Sequence, residues 1–351
     1  MKLRDFVIRR MILAIPVVFG VVTITWILSY IVGDPIAMYI TERTPPAAIP
    51  GIRAIHGLDE PLYVQYFYYI SSLLRGDWGQ SRSVGGDMPV LEVIARRLPA
   101  TTELAIVAMV FAVVLGIPLG ILSATKKDKP VDHVTRVFAL AGVSMPIFWF
   151  GLLLKYLLYY QFGVWHLPNL PGDGRIDNEL WKALLGNSRG YVPITNFILV
   201  DSILYGEPWG FIDGVTHLIM PGFCLGYLTL AIVTRMMRSS MLEVLKEDYI
   251  TLARSKGLKE RVVIYRHALR NAMIPTVTVI GLAFGGLMSG AVLTETIFNW
   301  DGLGVWATRA ILQSDIAAIN GFTLLVALIF VGANLIVDLI YGALDPRIRF
   351  G

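Results

Sequence analysis

One charged segment, Lys246–Pro275, contains the residues whose types and spacing could do chemistry. It lies between two long apolar runs, and its acidic and basic side chains recur at helical spacing on both sides of Gly257. Glycine readily takes the left-handed backbone that ends one helix and lets a second begin at an angle. We therefore predict two helical pieces, 248–256 and 259–269, whose charged surface docks another protein. A solvated amphipathic helix with snorkelling arginines explains the same pattern.

Side chains that could support catalysis or metal binding are few and scattered. The single cysteine, Cys224, excludes a disulfide framework, and the five histidines fall in five segments without H-E-x-x-H spacing. The sequence has no G-x-x-x-x-G-K-[ST] phosphate loop and no G-x-S-x-G nucleophile elbow. We predict that the chain is not an enzyme and binds no metal, nucleotide or other cofactor itself.

The composition places these residues in a membrane protein. Hydrophobic residues make up 55% of the 351, the mean hydropathy is +0.63, and charged residues are 16%, against about 25% in soluble domains. Crossing the hydrocarbon core takes roughly 20 apolar residues, and a spanning segment must satisfy its backbone hydrogen bonds as a helix. We predict an all-α polytopic membrane protein with six spans: Met11–Gly33, Leu104–Thr125, Val137–Tyr159, Gly214–Thr234, Asn271–Thr294 and Ile316–Val337.

The first span resembles a secretory signal only in its basic start. Its apolar run of about 23 residues exceeds the 7–15 of a signal peptide, and no small-residue cleavage site follows it. We expect a retained anchor.

The distribution of Lys and Arg predicts the orientation. If the N-terminus is cytoplasmic, 19 of the 30 basic residues lie on the cytoplasmic side and ten lie outside. We therefore predict a multi-pass protein of the cell membrane with both termini and segment 246–270 in the cytoplasm. The net charge of +4 follows from this bias and does not indicate nucleic-acid binding.

Two outer loops, 34–103 and 161–213, are long and rich in aromatic residues. Loops of this length are usually functional or disordered, and aromatic content argues against disorder. They could form a docking surface or an outer gate, or could pack on the ends of the spans. The predicted organisation is an N-tail with the first span (1–33), an outer region (34–103) and a five-span core (104–351).

The spans themselves offer no ion-coupling site. Lys155 lies near the outer end of the third span and can snorkel, and no carboxylate or histidine relay occupies the middle of the membrane. Small residues such as Gly116, Gly120 and Gly285 have close-packing spacing, which suits simple packing or a sliding helix. If the task of the chain is transport, the energy must then come from elsewhere.

Segment 246–270 resembles the loop by which permeases of ABC importers engage their ATP-binding subunits. Ala253 and Gly257 match the second alanine and the glycine of that loop, while Thr251 and Leu252 replace its glutamate and first alanine. The run A-R-x-K-G-L…R-H-A-L-R-N-A-x-x-P is similar to the first permease of the dipeptide/oligopeptide branch. Other stretches also match this branch: Arg9-Arg10, Ile15-Pro16, Asp34-Pro35, Gly57-Leu58-Asp59, Gln65-Tyr66, Gly76-Asp77, 97–101, 174–177, Asp201-Ser202, Glu295, Phe298, 302–304 and 344–347.

The resemblance implies a type I ABC-importer permease with a large outer first loop. It implies pairing with a second homologous permease, with two ATP-binding subunits that carry Mg-ATP, and with an outer substrate-binding protein, all in a lipid bilayer. Eight residues would couple the chain to an ATPase subunit: Ala253, Arg254, Lys256, Gly257, Leu258, Arg261, Arg266 and His267.

The cargo implied by the resemblance is di- or oligopeptides first, with oligosaccharides and then metal or opine cargo as alternatives. An ion-coupled secondary transporter and a structural or assembly subunit are the other classes considered. The substrate-contacting residues are not identified by the sequence.

Overall fold

The computed structural model describes residues 3–40, 44–186 and 188–344. Of the C-terminal motif 344–347, only Leu344 lies within the described residues. The α-helices are α1 (Leu3–Ile27), α2 (Ile49–Ile55), α3 (Leu62–Leu74), α4 (Val90–Thr125), α5 (Pro130–Ser144), α6 (Ile147–Leu154), α7 (Phe162–Val164), α8 (Asn178–Leu185), α9 (Ile198–Tyr205), α10 (Pro208–Val244), α11 (Asp248–Ser255), α12 (Glu260–Val262), α13 (Leu269–Gly290), α14 (Val292–Ile297), α15 (Leu303–Leu312) and α16 (Ile316–Leu344).

Short irregular elements link these helices. The π-helical segments are Leu28–Val32, Lys155–Gln161 and Val263–Ala268, and the 3-10 turns are Pro35–Met38 and Pro46–Ala48. Strands β1 (Gln80–Ser81) and β2 (Met88–Pro89) form an antiparallel hairpin with Gln80 opposite Pro89.

Within the described residues, six helical segments are long and apolar enough to cross a membrane, which confirms the predicted fold class. They are Ile8–Ile31, Val90–Thr125, Ile147–Val164, Pro208–Val244, Glu260–Met288 and Ile316–Ile336. We call the end of the bundle formed by connections 126–129 and 245–259 the basic end. The opposite end, formed by 33–89 and 165–207, is the wide-loop end.

The predicted third span, Val137–Tyr159, is wrong as a continuous helix. The chain breaks at Met145, which is extended (φ −82°, ψ 131°) before Pro146. A residue that precedes proline is disfavoured in the helical region, and proline itself cannot donate the helical hydrogen bond. The span therefore starts anew at Ile147, and α5 is a separate helix.

The helix after Gly257 also differs from the prediction. The predicted piece 259–269 is not a separate surface helix, because α12, the π segment Val263–Ala268 and α13 continue into one another and form the start of the fifth span. That span ends earlier than the predicted Thr294, since a turn at Ala291 separates α13 from α14. The basic end thus holds one short helix, α11, between two spans.

The second and fourth spans, α4 and α10, form the centre of the bundle through small residues. A Cβ placed on Gly116 would meet Val233, and one placed on Gly120 would meet Met237. Such contacts bring helix axes close together in a membrane, so the packing role predicted for these glycines is confirmed. Both helices extend beyond their predicted starts, because polar residues at the wide-loop end lowered the local hydropathy there.

The first wide loop is folded against the ends of the spans. Its hairpin meets the junction of α15 and α16, where the buried Asp315 carboxylate accepts hydrogen bonds from Ser81 Oγ (2.9 Å) and from the backbone nitrogens of Arg82 (2.7 Å) and Ser83 (3.0 Å). Trp306 Nε1 donates to the same Ser81 hydroxyl at 3.1 Å. The hairpin is therefore fixed to the start of the sixth span.

The second wide loop is tied to α4 by an ion pair. Arg175 donates to Glu103 Oε2 (2.7 Å) and to the Asn196 carbonyl (2.9 Å), and the Leu199 nitrogen donates to Glu103 Oε1 (3.0 Å). Lys155, as its predicted snorkelling requires, reaches out of the third span to Asp173 in this loop (2.6 Å). Both wide loops thus pack on the spans, and their role in docking stays a prediction.

Candidate functional site

The short helix α11 is held at the basic end by one buried face. Ile250 and Ala253 are buried in a cluster with Met237 of α10, Val263 of the following π segment and Ala272 of α13. Burying these apolar side chains fixes the helix against the second, fourth and fifth spans, since Ile121 of α4 belongs to the same cluster. A second tie comes from the Asn271 amide, which donates to the Tyr249 hydroxyl at 2.7 Å. A displacement of α11 would therefore disturb its packing against α10 and α13.

Gly257 ends α11 in the way the sequence predicted. Its φ is +74°, in the left-handed region, where a Cβ would clash with backbone in an L-residue. The Gly257 nitrogen donates to the Arg254 carbonyl (2.9 Å) and the Leu258 nitrogen to the Ala253 carbonyl (3.4 Å). No atom lies within 4 Å of a Cβ built on this glycine. The turn is thus required by the backbone and open to a partner's surface.

The residues after the buried face form an exposed tip. Arg254, Lys256, Gly257, Leu258 and Arg261 are all exposed there, and the structure brings them together as predicted from the sequence. Ala253, by contrast, faces the interior and is only 7% exposed. The Ala253 side chain therefore packs against the spans and does not reach the exposed tip.

An ion pair closes the tip across Gly257. Arg254 donates to both carboxylate oxygens of Glu260, at 2.6 and 3.2 Å. This pairing raises the pKa of the Arg254 guanidinium above its ordinary value. Both side chains are about half exposed, so the pair adds little stability. It joins the end of α11 to the start of the fifth span.

The last two predicted site residues lie away from the tip. Arg266 and His267 belong to the π segment Val263–Ala268, one to two turns into the next helix. Arg266 is exposed and His267 is half-buried. The structure therefore places them beside the tip, at the start of the fifth span, rather than within it.

Sequence reasoning missed one residue of this surface, Leu252. It is 55% exposed, on the face of α11 opposite to Ile250. Leu252 thus adds an exposed apolar side chain next to the three basic residues of the tip. The sequence could have indicated this, because Leu252 is an apolar residue two positions after Ile250. In a helix that spacing places the two side chains on opposite faces.

Comparison with known proteins covers almost the entire chain. Residues 116–350 match the family described as binding-protein-dependent transport system inner membrane component, and residues 3–105 match the N-terminal family of the same membrane components. The dipeptide transport system permease protein DppB of Escherichia coli (strain K12) is 44% identical over 98% of both chains.

Two further relatives come from other bacteria. The di/tripeptide transport system permease protein of Pseudomonas aeruginosa is 42% identical, again over 98% of both chains. The oligopeptide transport system permease protein AppB of Bacillus subtilis is 33% identical over 98% of this chain and 99% of the relative.

Proposed function

Because the chain belongs to the family of binding-protein-dependent transport system inner membrane components, we propose that it is the permease subunit of an ATP-driven importer of di- and oligopeptides. The observation that carries the proposal is similarity over nearly the full length to permeases named for dipeptide, di/tripeptide and oligopeptide transport. The fold agrees, since it supplies six spans and a helix at the basic end that contacts several of them.

Membership of the family implies partner components of an ABC transporter. We assign to this chain a second homologous permease, two ATP-binding subunits and an outer substrate-binding protein. Mg-ATP is bound by the ATP-binding subunits, because this sequence has no phosphate loop. The basic end and both termini face the cytoplasm, as the bias of Lys and Arg predicts.

In this arrangement the exposed tip of α11 enters a groove on one ATP-binding subunit. Closure of the ATP-binding pair moves α11, and the buried contacts of Ile250 and Ala253 pass this motion to α4, α10 and α13. Those spans then shift between inward- and outward-facing arrangements. A ligand-driven shift of this kind requires that ATP bind one arrangement more tightly than the other.

The test is co-purification with measurement of transport. The solubilised chain should bring down a second permease and two ATP-binding subunits, and peptide-loaded binding protein should stimulate ATP hydrolysis. Uptake into vesicles should require ATP, and its rate should not change when ion gradients across the membrane are removed. A chain that purifies alone, or uptake that persists without ATP, contradicts the proposal. Stimulation by sugar-loaded binding protein alone would keep the importer and change its cargo.

Coupling through α11 is tested by Gly257→Val. A valine at this φ is strained and projects into the space where the partner docks, so ATP-driven uptake should fall at least tenfold while membrane insertion is retained. Gly206→Val is the matched control, because Gly206 has φ +70° and no atom within 4 Å of a Cβ, at the wide-loop end. Unchanged uptake in Gly257→Val would overturn the role of α11 and leave the importer assignment intact.

A further inference from the structure

A groove of about 600 Å³ opens between α5 and α10 at the basic end. One part of its lining is basic, from Arg136, Arg235 and Arg238, and another part is apolar, from Val137, Leu140 and Val143. Sites for small molecules have this size and combine apolar walls with a few fixed polar groups. The groove lies apart from the exposed tip of α11.

The arginines of the groove outnumber the carboxylates that face them. The Asp132 side chain is fully buried. Its carboxylate accepts two hydrogen bonds from the Arg238 guanidinium, from Nε at 2.8 Å and from Nη2 at 2.9 Å, and a third from Ser123 Oγ at 2.5 Å. These donors hold the pKa of the Asp132 carboxyl well below its usual range. Arg136 lies 3.6 Å from the same carboxylate. The Asp132 carboxylate thus lies close to two of the three arginines, Arg238 and Arg136.

That third arginine, Arg235, is exposed and makes no hydrogen bond or ion pair with any residue that the structure describes. Its neighbour Thr234 lines the same groove and is 2% exposed, and the Thr234 hydroxyl has no hydrogen-bond partner among the described residues. Two adjacent polar side chains in one groove therefore have unused hydrogen-bonding capacity. A buried hydroxyl without a partner costs free energy.

Arg235 lies within the length of the helical bundle, not beyond its end, since α10 continues to Val244. Gly120 of α4 packs on Thr234 and Met237, and α4 ends at Thr125, so this level is about 8 Å inside the end of α4 at 1.5 Å per residue. An unpaired guanidinium at such depth is rarely directed into hydrocarbon and usually lines a water-filled path or pairs with an anion. The open side of the groove is the place for that anion.

We propose that this groove binds the C-terminal carboxylate of a peptide leaving the permease, with Arg235 as its main ligand. The inference rests on the proposed function, which supplies a cargo with a free carboxylate. Val137, Leu140 and Val143 then contact the last side chain of the peptide. Arg238 and Asp132 neutralise each other and hold α5 against α10. They therefore shape the groove but do not bind the anion.

The experiment uses the complete importer in vesicles with saturating, loaded binding protein. Uptake is compared for a dipeptide with a free carboxylate and for the same dipeptide as its C-terminal amide. In Arg235→Gln the carboxylate peptide should lose about tenfold in uptake, since a charge-assisted hydrogen bond is lost, whereas uptake of the amide should stay at its wild-type level. Arg235→Lys should restore part of the loss. Arg75→Gln, at the wide-loop end, is the control.

A second measurement separates a peptide carboxylate from a lipid phosphate. Each variant is assayed in vesicles with and without phosphatidylglycerol. Equal loss of both peptides in Arg235→Gln, together with dependence on phosphatidylglycerol, would assign the anion to a lipid and overturn the proposal. Unchanged uptake of both peptides in Arg235→Gln overturns it as well. If the wild-type importer transports neither peptide in the presence of ATP, the result contradicts the proposed function rather than the role of Arg235.

Discussion

Gly226 of α10 packs directly against the backbone carbonyl of Ala108 in α4, and a Cβ on this glycine would overlap the Ala108 oxygen. Gly222, one turn earlier, packs against the side chain of Val107. The contacts continue to Gly120 near the basic end. The two central helices therefore approach each other closely along most of their shared length, with a glycine at each of these contacts.

Gly226→Val should destabilise the protein by about 2–3 kcal/mol, because extra methyl groups in a closely packed site force the backbones apart. The midpoint of thermal unfolding of the solubilised protein measures the effect. Gly332→Val in α16 is the control, since no atom lies within 4 Å of a Cβ at Gly332. Equal midpoints for the two variants would contradict the close approach of α4 and α10.

Glu295→Ala should be strongly destabilising. The buried Glu295 carboxylate accepts hydrogen bonds from Thr101 Oγ1 (2.6 Å) and from the nitrogens of Gly304 (2.8 Å) and Val305 (3.1 Å). Alanine leaves these donors without an acceptor, at about 1–3 kcal/mol for each buried group. Glu92→Ala removes only an exposed ion pair with Arg96 and should cost well under 1 kcal/mol. Urea or heat unfolding of both variants gives the comparison.

Acid should loosen the second wide loop through Asp201. Burial raises the pKa of this carboxyl, but hydrogen bonds from Thr195, from Tyr191 and from the Ile194 nitrogen outweigh burial and lower it overall. The folded state therefore favours the charged form, so its stabilisation is full above the unfolded pKa of about 3.9 and falls as the pH drops through and below that value.

Limited digestion of the loop with pepsin at a series of pH values measures this change. Cleavage within 191–197 should increase as the pH falls below about 4. Asp201→Asn should be cleaved more readily even at pH 5, where pepsin retains activity and the wild-type carboxylate is charged. Cleavage that is the same for both proteins at every pH would show that Asp201 does not hold the loop.

Leu252→Ser should weaken capture of the ATP-binding subunits. A leucine that becomes buried in an interface contributes about 1.5–3 kcal/mol, so the affinity should fall by roughly tenfold or more. Leu312→Ser is the matched control, because Leu312 is an exposed leucine (79%) at the wide-loop end. Quantitative co-purification measures both. Reduced capture in both variants, or in neither, would remove Leu252 from the interface.

The sequence predicted the spans because uninterrupted apolar runs are a strong signal, but it could not place the break at Pro146. Pro118 and Pro221 lie inside continuous helices, where neighbouring helices and local adjustment of the backbone compensate for the lost hydrogen bond. All three prolines stand within apolar runs of the sequence. The difference depends on packing around each proline, which a single sequence does not contain.

The residues of the candidate site were also predictable only in part. Gly257 was predictable, because a glycine between two helical patterns indicates a left-handed turn. The contrasting roles of Ile250, which is buried, and Leu252, which is exposed, depend on which face of α11 meets the spans. Arg235 was missed for another reason. It directly follows Thr234, the predicted end of the fourth span, so it was counted as part of a loop although α10 continues to Val244.

The continuity of the helix after Gly257 has a mechanical consequence. From Glu260 to Met288 the chain forms one 29-residue span, about 44 Å long at 1.5 Å per residue. In the proposed importer this span would act as a lever, held beside α11 at one end and with its other end near Glu295. A tilt of about 10° at the gripped end would carry that tip roughly 8 Å sideways, by the geometry of a rod of this length. In the proposed importer, a small displacement at one membrane face would therefore become a larger one at the other.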